Sequence, residues 1–341
     1  KTTLLTFLAG QAMRHHDLKV FFFDRHRGAE IFTRAVQGAY VGFDGDEKNV
    51  SLNPFDCRNT PNNRAFLRRW LKAITMVDDA LSEKEIGRAV TTAFDYLKPE
   101  ERILKNLYKS CFSPTGNMRR ELFRWINPDQ YGNIFNAEND SLDLASKRFM
   151  AFDFTHIFED ETLAPAVISY IMHRIMAETG DTGVPSLIMI DETAPMLKHP
   201  MFRDYFIIGL QEGRKKRQAY LCAFQQPNII DKLGVGEVIR GQCQTVIFFR
   251  NPQAMPEDYA NWNLTQREID FIFGKSYRDF PYAILLSRPA TGESVILDVD
   301  LSGLGPYLKL YNSGRKNVLL VEELIKEYGE ANFVTKYLNI G

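Results

Sequence analysis

Short, dense runs of apolar residues alternate with longer amphipathic stretches along most of the chain. Five of these runs have the length and composition of strands that are buried on both faces. They are residues 20–23, 149–154, 187–190, 219–224 and 245–249. Such strands are typical of parallel sheets covered by helices. The pattern therefore predicts an α/β protein with a mostly parallel sheet.

Two further patterns follow in the last third of the chain. Residues 282–286 and 294–299 have strand composition and flank residues 289–292, whose proline and glycine suit a turn. We expect a C-terminal β-hairpin here. Residues 321–338 are amphipathic with helical spacing, which predicts one terminal helix.

Residues 59–146 have a different character, because they are charged, helix-forming and poor in strand candidates. Ser82 and Glu85 have the spacing of a capping box, and Ile86, Val90 and Phe94 follow at helical intervals. This stretch is predicted to be an all-α insertion in the sheet domain.

Composition narrows the class of protein. With 341 residues, 45% of them hydrophobic, the chain can bury a large core. The 42 basic and 43 acidic residues give a net charge of −1, which indicates no general nucleic-acid or membrane surface. No apolar run approaches the roughly 18 residues that span a bilayer. The chain opens at Lys1, so we expect a piece of a longer protein.

Cysteine and histidine spacing argues against a metal held by protein side chains alone. The four cysteines, Cys57, Cys111, Cys222 and Cys243, include no CxxC pair, which is typical of reduced, buried thiols in a cytosolic protein. The histidines show no HExxH spacing, and His173 is expected to be packed or solvated.

The first candidate chemistry lies at the start of the chain, where Lys1, Thr2 and Thr3 precede a helical pattern. In the P-loop pattern GxxxxGK[ST], backbone N–H groups and the lysine bind phosphates, and the hydroxyl binds magnesium. Lys1 and Thr2 match the end of that motif. Such tripeptides are common, so they indicate a nucleotide site only together with other residues.

The second candidate is the pair Asp191 and Glu192, which directly follows the apolar run 187–190. Ligands of open α/β sheets bind at the carboxyl ends of the strands. There an aspartate can hold the magnesium shell, and the next glutamate can orient and deprotonate the attacking water. The alternative is a buried strand that ends in two solvated acids.

Two polar segments follow this pair. Residues 209–217 form the basic end of a predicted helix and contain Arg214, and Gln225 follows the next strand. The cations can simply favour a helix C-terminus, and the glutamine can be an ordinary loop residue. Functionally, an arginine can neutralise transition-state charge in a neighbouring subunit, while a glutamine contacts the γ-phosphate or the water.

In sequence, the chain resembles the family that includes CagE, TrbE and component 4 of the VirB apparatus, within the RecA-like FtsK and HerA group of hexameric motors. The resemblance covers nearly the whole chain. Its motifs are Phe23-Asp24, Arg27-Gly28-Ala29-Glu30, Gly38-Ala39-Tyr40, Leu52-Asn53-Pro54-Phe55, Phe152-Asp153-Phe154-Thr155, residues 187–192, Gly213-Arg214-Lys215-Lys216, Ala223-Phe224-Gln225-Gln226 and Phe248-Phe249-Arg250-Asn251-Pro252.

The resemblance implies an ATPase that uses ATP and Mg²⁺, with a RecA-like P-loop fold. Lys1, Thr2 and Thr3 would contact the nucleotide, with Thr2 and Asp191 at the magnesium ion, Glu192 as the catalytic carboxylate and Gln225 as the γ-phosphate sensor. Arg214 is the first candidate for an arginine finger, and Arg240 and Arg250 are its rivals. Where the family usually has threonine before the sensor glutamine, this chain has Phe224.

The resemblance also predicts the organisation of the protein. Residues 1–58 and 147–314 would form the ATPase core with its β-hairpin, 59–146 the insertion and 315–341 a helical tail, with an N-terminal domain outside this chain. The partners would be five further copies in a hexamer, other inner-membrane secretion components, the coupling protein and the second secretion ATPase. The expected location is the cytoplasmic face of the bacterial inner membrane.

Three functions are compatible with these residues. The first is an ATPase that energises pilus biogenesis and substrate transfer in type IV secretion. The second is a DNA-translocating motor like the coupling proteins or HerA, for which Arg68-Arg69 and Arg119-Arg120 offer basic pairs. The third is a non-hydrolysing assembly scaffold, which Thr2, Asp191 and Glu192 argue against.

Overall fold

The computed structural model of the chain describes residues 1–43, 51–180 and 182–340. Residues 44–50, within the first predicted part of the core, Asp181, and Gly341 at the end of the predicted tail lie outside the described residues. A five-stranded sheet and a three-stranded sheet organise the rest.

The five-stranded sheet is parallel throughout. Its strands are β1 (Lys19–Asp24), β2 (Ala39–Gly42), β3 (Phe149–Asp153), β4 (Ser186–Ile190) and β5 (Gln218–Cys222). They lie in the order β2-β3-β1-β4-β5. The first four predicted apolar runs are confirmed as strands of this sheet. The half-exposed β2 was not predicted, because its four residues contain no dense apolar run.

Helices make up most of the remaining chain. The helices are α1 (Thr2–Ala12), α2 (Glu30–Ala35), α3 (Pro61–Thr75), α4 (Ala80–Asp95), α5 (Leu104–Cys111), α6 (Asn117–Ile126), α7 (Gly132–Phe135), α8 (Leu163–Gly180), α9 (Thr193–Leu197), α10 (Pro200–Glu212), α11 (Ile229–Lys232), α12 (Gly236–Gln242), α13 (Gln266–Ile272), α14 (Arg315–Tyr328) and α15 (Phe333–Asn339). Short 3-10 helices span Pro99–Glu101, Ile157–Glu159, Pro256–Trp262 and Ser302–Tyr311.

Helices cover both faces of the parallel sheet. On β1, Val20 and Phe22 face the side that α1 and α2 cover. Phe21 and Phe23 face the other side, where α8, α10 and the helices of the insertion contribute to one apolar core. All four side chains are completely buried. This double burial explains the continuous apolar run in β1.

The predicted all-α insertion corresponds to α3–α7, between β2 and β3. Its core is aromatic, with Trp70 and Phe135 rings 5.1 Å apart, and Trp70 Nε1 donates to the Ala166 carbonyl of α8 at 3.0 Å. His173 of α8 is packed here, with Nε2 lying 2.8 Å from Asn63 Oδ1. The insertion thus shares a core with the sheet, while the domain boundaries at residues 58, 146 and 314 stay predictions.

The predicted capping box at Ser82 and Glu85 is wrong. The N-cap residue of α4 is Asp79, three residues before Ser82, and Asp79 Oδ1 accepts a hydrogen bond from the Ser82 N–H at 2.9 Å. Glu85 Oε1 instead accepts from the Ser113 N–H at 2.9 Å. Aspartate is itself a strong N-cap residue, so it takes the position that the spacing gave to Ser82.

The second sheet is antiparallel and comprises β6 (Val246–Phe249), β7 (Ala283–Arg288) and β8 (Glu293–Asp298). The β7–β8 pair confirms the predicted hairpin, with Gly292 at φ 70° in its turn. The prediction that residues 245–249 join the parallel sheet is wrong, since β6 pairs antiparallel with β7. Phe248 is buried but Phe249 is 37% exposed, so β6 is covered on one face.

The C-terminal tail contains two helices. Gly329, at φ 78°, ends α14, and α15 begins at Phe333. The prediction of one helix over residues 321–338 is wrong, because this left-handed glycine terminates the first helix. None of the helices in the described part of the chain is long and apolar enough to cross a bilayer.

Candidate active site

Sheet register brings the ends of three neighbouring strands together. Phe23 of β1 pairs with Ile190 of β4, and Ile190 pairs with Cys222 of β5. The residues that follow these strands therefore lie at one carboxyl edge, where open α/β sheets bind ligands. The start of α1 lies at the same edge, as the contacts of Thr2 show.

Thr2 and Asp191 form the centre of the site. Thr2 Oγ1 donates to Asp191 Oδ2 at 2.5 Å. The Asp191 N–H donates to the Phe23 carbonyl at 3.0 Å, which continues the strand pairing, and the side chain is 6% exposed. Hydroxyl and carboxylate oxygens are ligands that Mg²⁺ accepts. Among the described residues no cluster of three or more His, Cys, Asp and Glu side chains could hold a metal ion.

Glu192 follows with both carboxylate oxygens engaged. Gln225 Nε2 donates to Oε1 at 2.8 Å, and Arg25 Nη1 forms an ion pair with Oε2. The Glu192 backbone is left-handed, at φ 59° and ψ 60°. A non-glycine residue is strained in this conformation, which is common at functional sites. The turn directs the Glu192 side chain toward the ends of β1 and β5.

Lys1 lies near this group, whereas Thr3 does not. Lys1 Nζ is 3.4 Å from the Phe224 carbonyl, at the end of β5. Thr3 Oγ1 is 3.5 Å from the Tyr311 carbonyl in the last 3-10 helix. The structure thus brings Lys1, Thr2, Asp191, Glu192 and Gln225 together. Thr3 lies at the side of the site, and its predicted nucleotide contact stays a prediction.

Asp24 stabilises the loop after β1 through hydrogen bonds. Its carboxylate accepts from the N–H groups of Arg25 and Ala29, both at 2.8 Å, and from the Tyr40 hydroxyl at 2.9 Å. The side chain is completely buried, and this burial raises the pKa of Asp24 to about 8. A Cβ atom at Gly28 would lie 2.8 Å from Thr2 Cγ2. Glycine therefore allows the loop to approach Thr2 closely.

The three finger candidates lie in different surroundings. Arg214 is exposed in the turn between α10 and β5, at the amino edge of the sheet and away from Glu192. Arg240 is tied to Asp231 by hydrogen bonds of 3.0 and 2.7 Å. Arg250 lies over the Phe271 ring and lines a cavity of about 710 Å³ beside Lys1. None of the three contacts Glu192 in this chain.

Sequence reasoning missed Asp24 and Arg25 as site residues. Asp24 is the last residue of the buried strand β1 and Arg25 directly follows it, and the end of a buried strand is the signal that identified Asp191. The neighbouring position of β1 and β4 was the missing information, because strand order is not visible in the apolar pattern. Phe224, the departure from the family pattern, contributes its carbonyl to the contact with Lys1.

Comparison with known proteins gives relatives along nearly the whole chain. The type IV secretion system protein VirB4 of Bartonella henselae is 29% identical over 336 residues, covering 96% of this chain and 42% of that protein. The conjugal transfer protein TrbE of Rhizobium radiobacter is 25% identical over 344 residues, covering 97% and 40%. The chain thus spans less than half the length of these relatives. No protein-family model matches it.

Solved structures share the fold. VirB4 of Thermoanaerobacter pseudethanolicus superimposes with a TM-score of 0.68 and 12% identity, covering 89% of this chain and 86% of that one. A bacterial conjugative coupling protein, TrwB without its first 70 residues, gives a TM-score of 0.55 and 10% identity, covering 88% and 81%. The predicted α/β RecA-like P-loop fold is confirmed.

Proposed function

Because the chain belongs to the VirB4/TrbE family of type IV secretion ATPases, we propose that it is the ATP-hydrolysing part of a motor. The motor energises pilus biogenesis and substrate transfer in type IV secretion. The observation that supports this best is the contact of Thr2 with Asp191 beside Glu192, since a magnesium ligand pair and a water-activating carboxylate must adjoin.

Each residue has a proposed role in phosphoryl transfer. Lys1 reaches the outer phosphates, and Thr2 and Asp191 hold the magnesium ion through its nucleotide and water shell. Magnesium neutralises charge on the phosphates when it is bound. Glu192 orients the water that attacks the γ-phosphorus and takes its proton, while Gln225 contacts the γ-phosphate or that water.

Arg214 would complete the site of a neighbouring subunit. It lies at the sheet edge opposite Glu192 of its own chain, so it can neutralise transition-state charge only at another copy's nucleotide. This arrangement requires a closed ring, and we propose a hexamer. Hydrolysis would then depend on assembly, and hexamers should turn over ATP faster than monomers.

The proposed setting is the cytoplasmic face of the bacterial inner membrane. The relatives are more than twice as long as this chain, so partner contacts can involve parts of the protein outside it. The proposed partners are other inner-membrane secretion components, the coupling protein and the second secretion ATPase.

The DNA-motor alternative has little support in the arginine pairs. Arg69 lies over the Tyr205 ring, Arg119 lies over the Tyr108 ring, and Arg120 pairs with Glu121. Three of the four side chains thus have partners within their own chain, whereas Arg68 is exposed.

Magnesium-dependent ATP hydrolysis by the full-length protein tests the proposal. Glu192→Gln should keep ATP binding and assembly, measured by light scattering, and lose about 10²-fold or more of turnover. Glu323→Gln, at an exposed position of α14, is the matched control and should keep full activity. If the unmodified assembled protein binds ATP without hydrolysing it, the enzyme assignment is wrong and the scaffold function takes its place.

A further inference from the structure

We propose that Arg25 is a positioning residue for Glu192. Arg25 determines which of the two carboxylate oxygens of Glu192 faces the attacking water. The inference rests on the proposed ATPase function and adds a residue to it. Arg25 comes directly after Asp24 at the end of β1, and β1 lies beside β4 in the sheet. The two strand ends therefore place Arg25 next to Glu192.

The Glu192 carboxylate is divided between two partners. Arg25 Nη1 pairs with Oε2, whereas Gln225 Nε2 donates to Oε1 at 2.8 Å. The Arg25 and Glu192 side chains are only 30% and 19% exposed, so water screens their attraction less than at an open surface. Because the guanidinium occupies Oε2, the oxygen that faces the attacking water in this proposal is Oε1, on the Gln225 side of the carboxylate.

The position of Arg25 is itself fixed. Its N–H is held by the buried Asp24, and its guanidinium lies 5.4 Å from the centre of the Phe158 ring. The next two residues, His26 and Arg27, are left-handed, and the His26 N–H donates to Thr155 Oγ1 at 2.6 Å. A side chain supported in this way is ordered before substrate binds.

Positioning matters here because Glu192 stands on a strained turn. Its left-handed backbone and half-buried side chain leave the rotamer to be set by side-chain partners. A shift of about 1 Å at a reacting group can cost about 10²-fold in rate. Arg25 contacts neither the phosphate-binding Lys1 nor the Thr2–Asp191 pair through any hydrogen bond found among the described residues, so its effect on hydrolysis passes through Glu192.

The test uses steady-state kinetics of the full-length, assembled protein. Arg25→Met should lower kcat for ATP by about ten- to a hundredfold and change KM by less than about twofold. Arg25→Lys should restore part of kcat because a cation returns. Arg64→Met is the matched control, since Arg64 also combines an ion pair, to Asp95, with an aromatic ring, that of Phe94; it should keep full kcat.

A double variant separates this inference from the proposed function. In a Glu192→Gln background, Arg25→Met should reduce kcat by less than about twofold further, because both changes act on one group. If Glu192→Gln is fully active, the proposed function fails. If Glu192→Gln is inactive but Arg25→Met is fully active, or the two losses multiply, only the positioning role fails. A rise in kcat for Arg25→Met would show that Arg25 restrains Glu192 and would overturn the proposal.

Folding of the variants is checked independently of turnover. Arg25→Met and Arg25→Lys should keep the circular dichroism, assembly and ATP affinity of the unmodified protein. If Arg25→Met does not fold, Phe158→Leu removes the aromatic support instead and should lower kcat by a few-fold with KM unchanged. Full kcat in a folded Phe158→Leu variant would contradict the proposal.

Discussion

The two edges of the parallel sheet use polar side chains in different ways. At the carboxyl edge, side chains pair with one another, as Thr2 does with Asp191 and Glu192 does with Arg25 and Gln225. Such groups can exchange these partners for phosphate, magnesium or water. This edge is therefore suited to chemistry.

At the amino edge, side chains mostly donate hydrogen bonds to carbonyl groups of neighbouring loops. Lys19 Nζ donates to the Leu144 carbonyl at 2.7 Å, and Arg148 Nη2 donates to the His15 carbonyl at 2.8 Å. Arg214 differs, because it is exposed there. The proposed acidic and cationic parts of the catalytic site therefore lie at opposite edges of the sheet in one chain, and in the proposed ring they would meet between subunits.

The largest effect is expected from Arg214→Ala. Loss of a cation that neutralises transition-state charge should lower kcat of the assembled protein by about 10²- to 10³-fold, with ATP binding kept. Lys216→Ala, in the same turn and paired with Glu212, should stay within about twofold. Equal losses in both variants would mean that the turn has a general structural role.

Thr2→Val should have the next largest effect. It removes the hydroxyl that contacts Asp191 and keeps the shape of the side chain, so magnesium-dependent hydrolysis should fall by about 10²-fold. Thr2→Ser should recover most of it. Rates measured across a magnesium titration check this, and an unchanged magnesium dependence in Thr2→Val would remove Thr2 from the site.

Gly28→Ala should have a moderate effect. The added Cβ would lie 2.8 Å from Thr2 Cγ2 and 3.0 Å from Asp24 Oδ1, so the loop must shift and kcat/KM should fall by about tenfold. Gly87→Ala in α4 is the control, because its Cβ meets no atom within 4 Å. That variant should be as active as the unmodified protein and up to about 1 kcal/mol more stable.

The last effect concerns stability rather than turnover, and it involves pH and the buried Asp24. Burial raises the pKa of Asp24 to about 8, so the folded protein keeps this proton where the unfolded chain loses it. The stabilisation is complete below the unfolded pKa near 4 and is lost as pH rises through about 8, with a slope of at most about 1.4 kcal/mol per pH unit. Urea unfolding at several pH values across this window measures the free energy of unfolding of the unmodified protein and of Asp24→Asn. The difference between these two free energies should change with pH at that slope. A flat difference would contradict it.

The sequence predicted the parallel sheet well because its strands are buried on both faces. It misplaced residues 245–249 because a short apolar run does not specify its partner strand. The terminal helix was predicted too long because the amphipathic pattern continues across Gly329, whose left-handed φ of 78° ends α14. Apolar periodicity therefore located elements better than it located their pairing or ends.

The site residues show the same difference between what the apolar pattern locates and what depends on strand pairing. Asp191 and Glu192 were found because they end a recognisable strand, and the structure places Thr2 and Gln225 beside them. Arg25 was missed because its contact with Glu192 depends on β1 lying next to β4. The proposed function of Arg214 would require a second subunit, which a single chain does not contain.

The most direct test of a site shared between subunits mixes two inactive variants of the full-length protein. Glu192→Gln subunits keep Arg214, and Arg214→Ala subunits keep Glu192, so mixed rings should contain some complete sites. Co-assembly at equal ratio should recover up to about a quarter of the unmodified turnover, by random placement around a closed ring. If the co-assembled mixture is as inactive as either variant alone, Arg214 does not act on a neighbouring subunit's nucleotide.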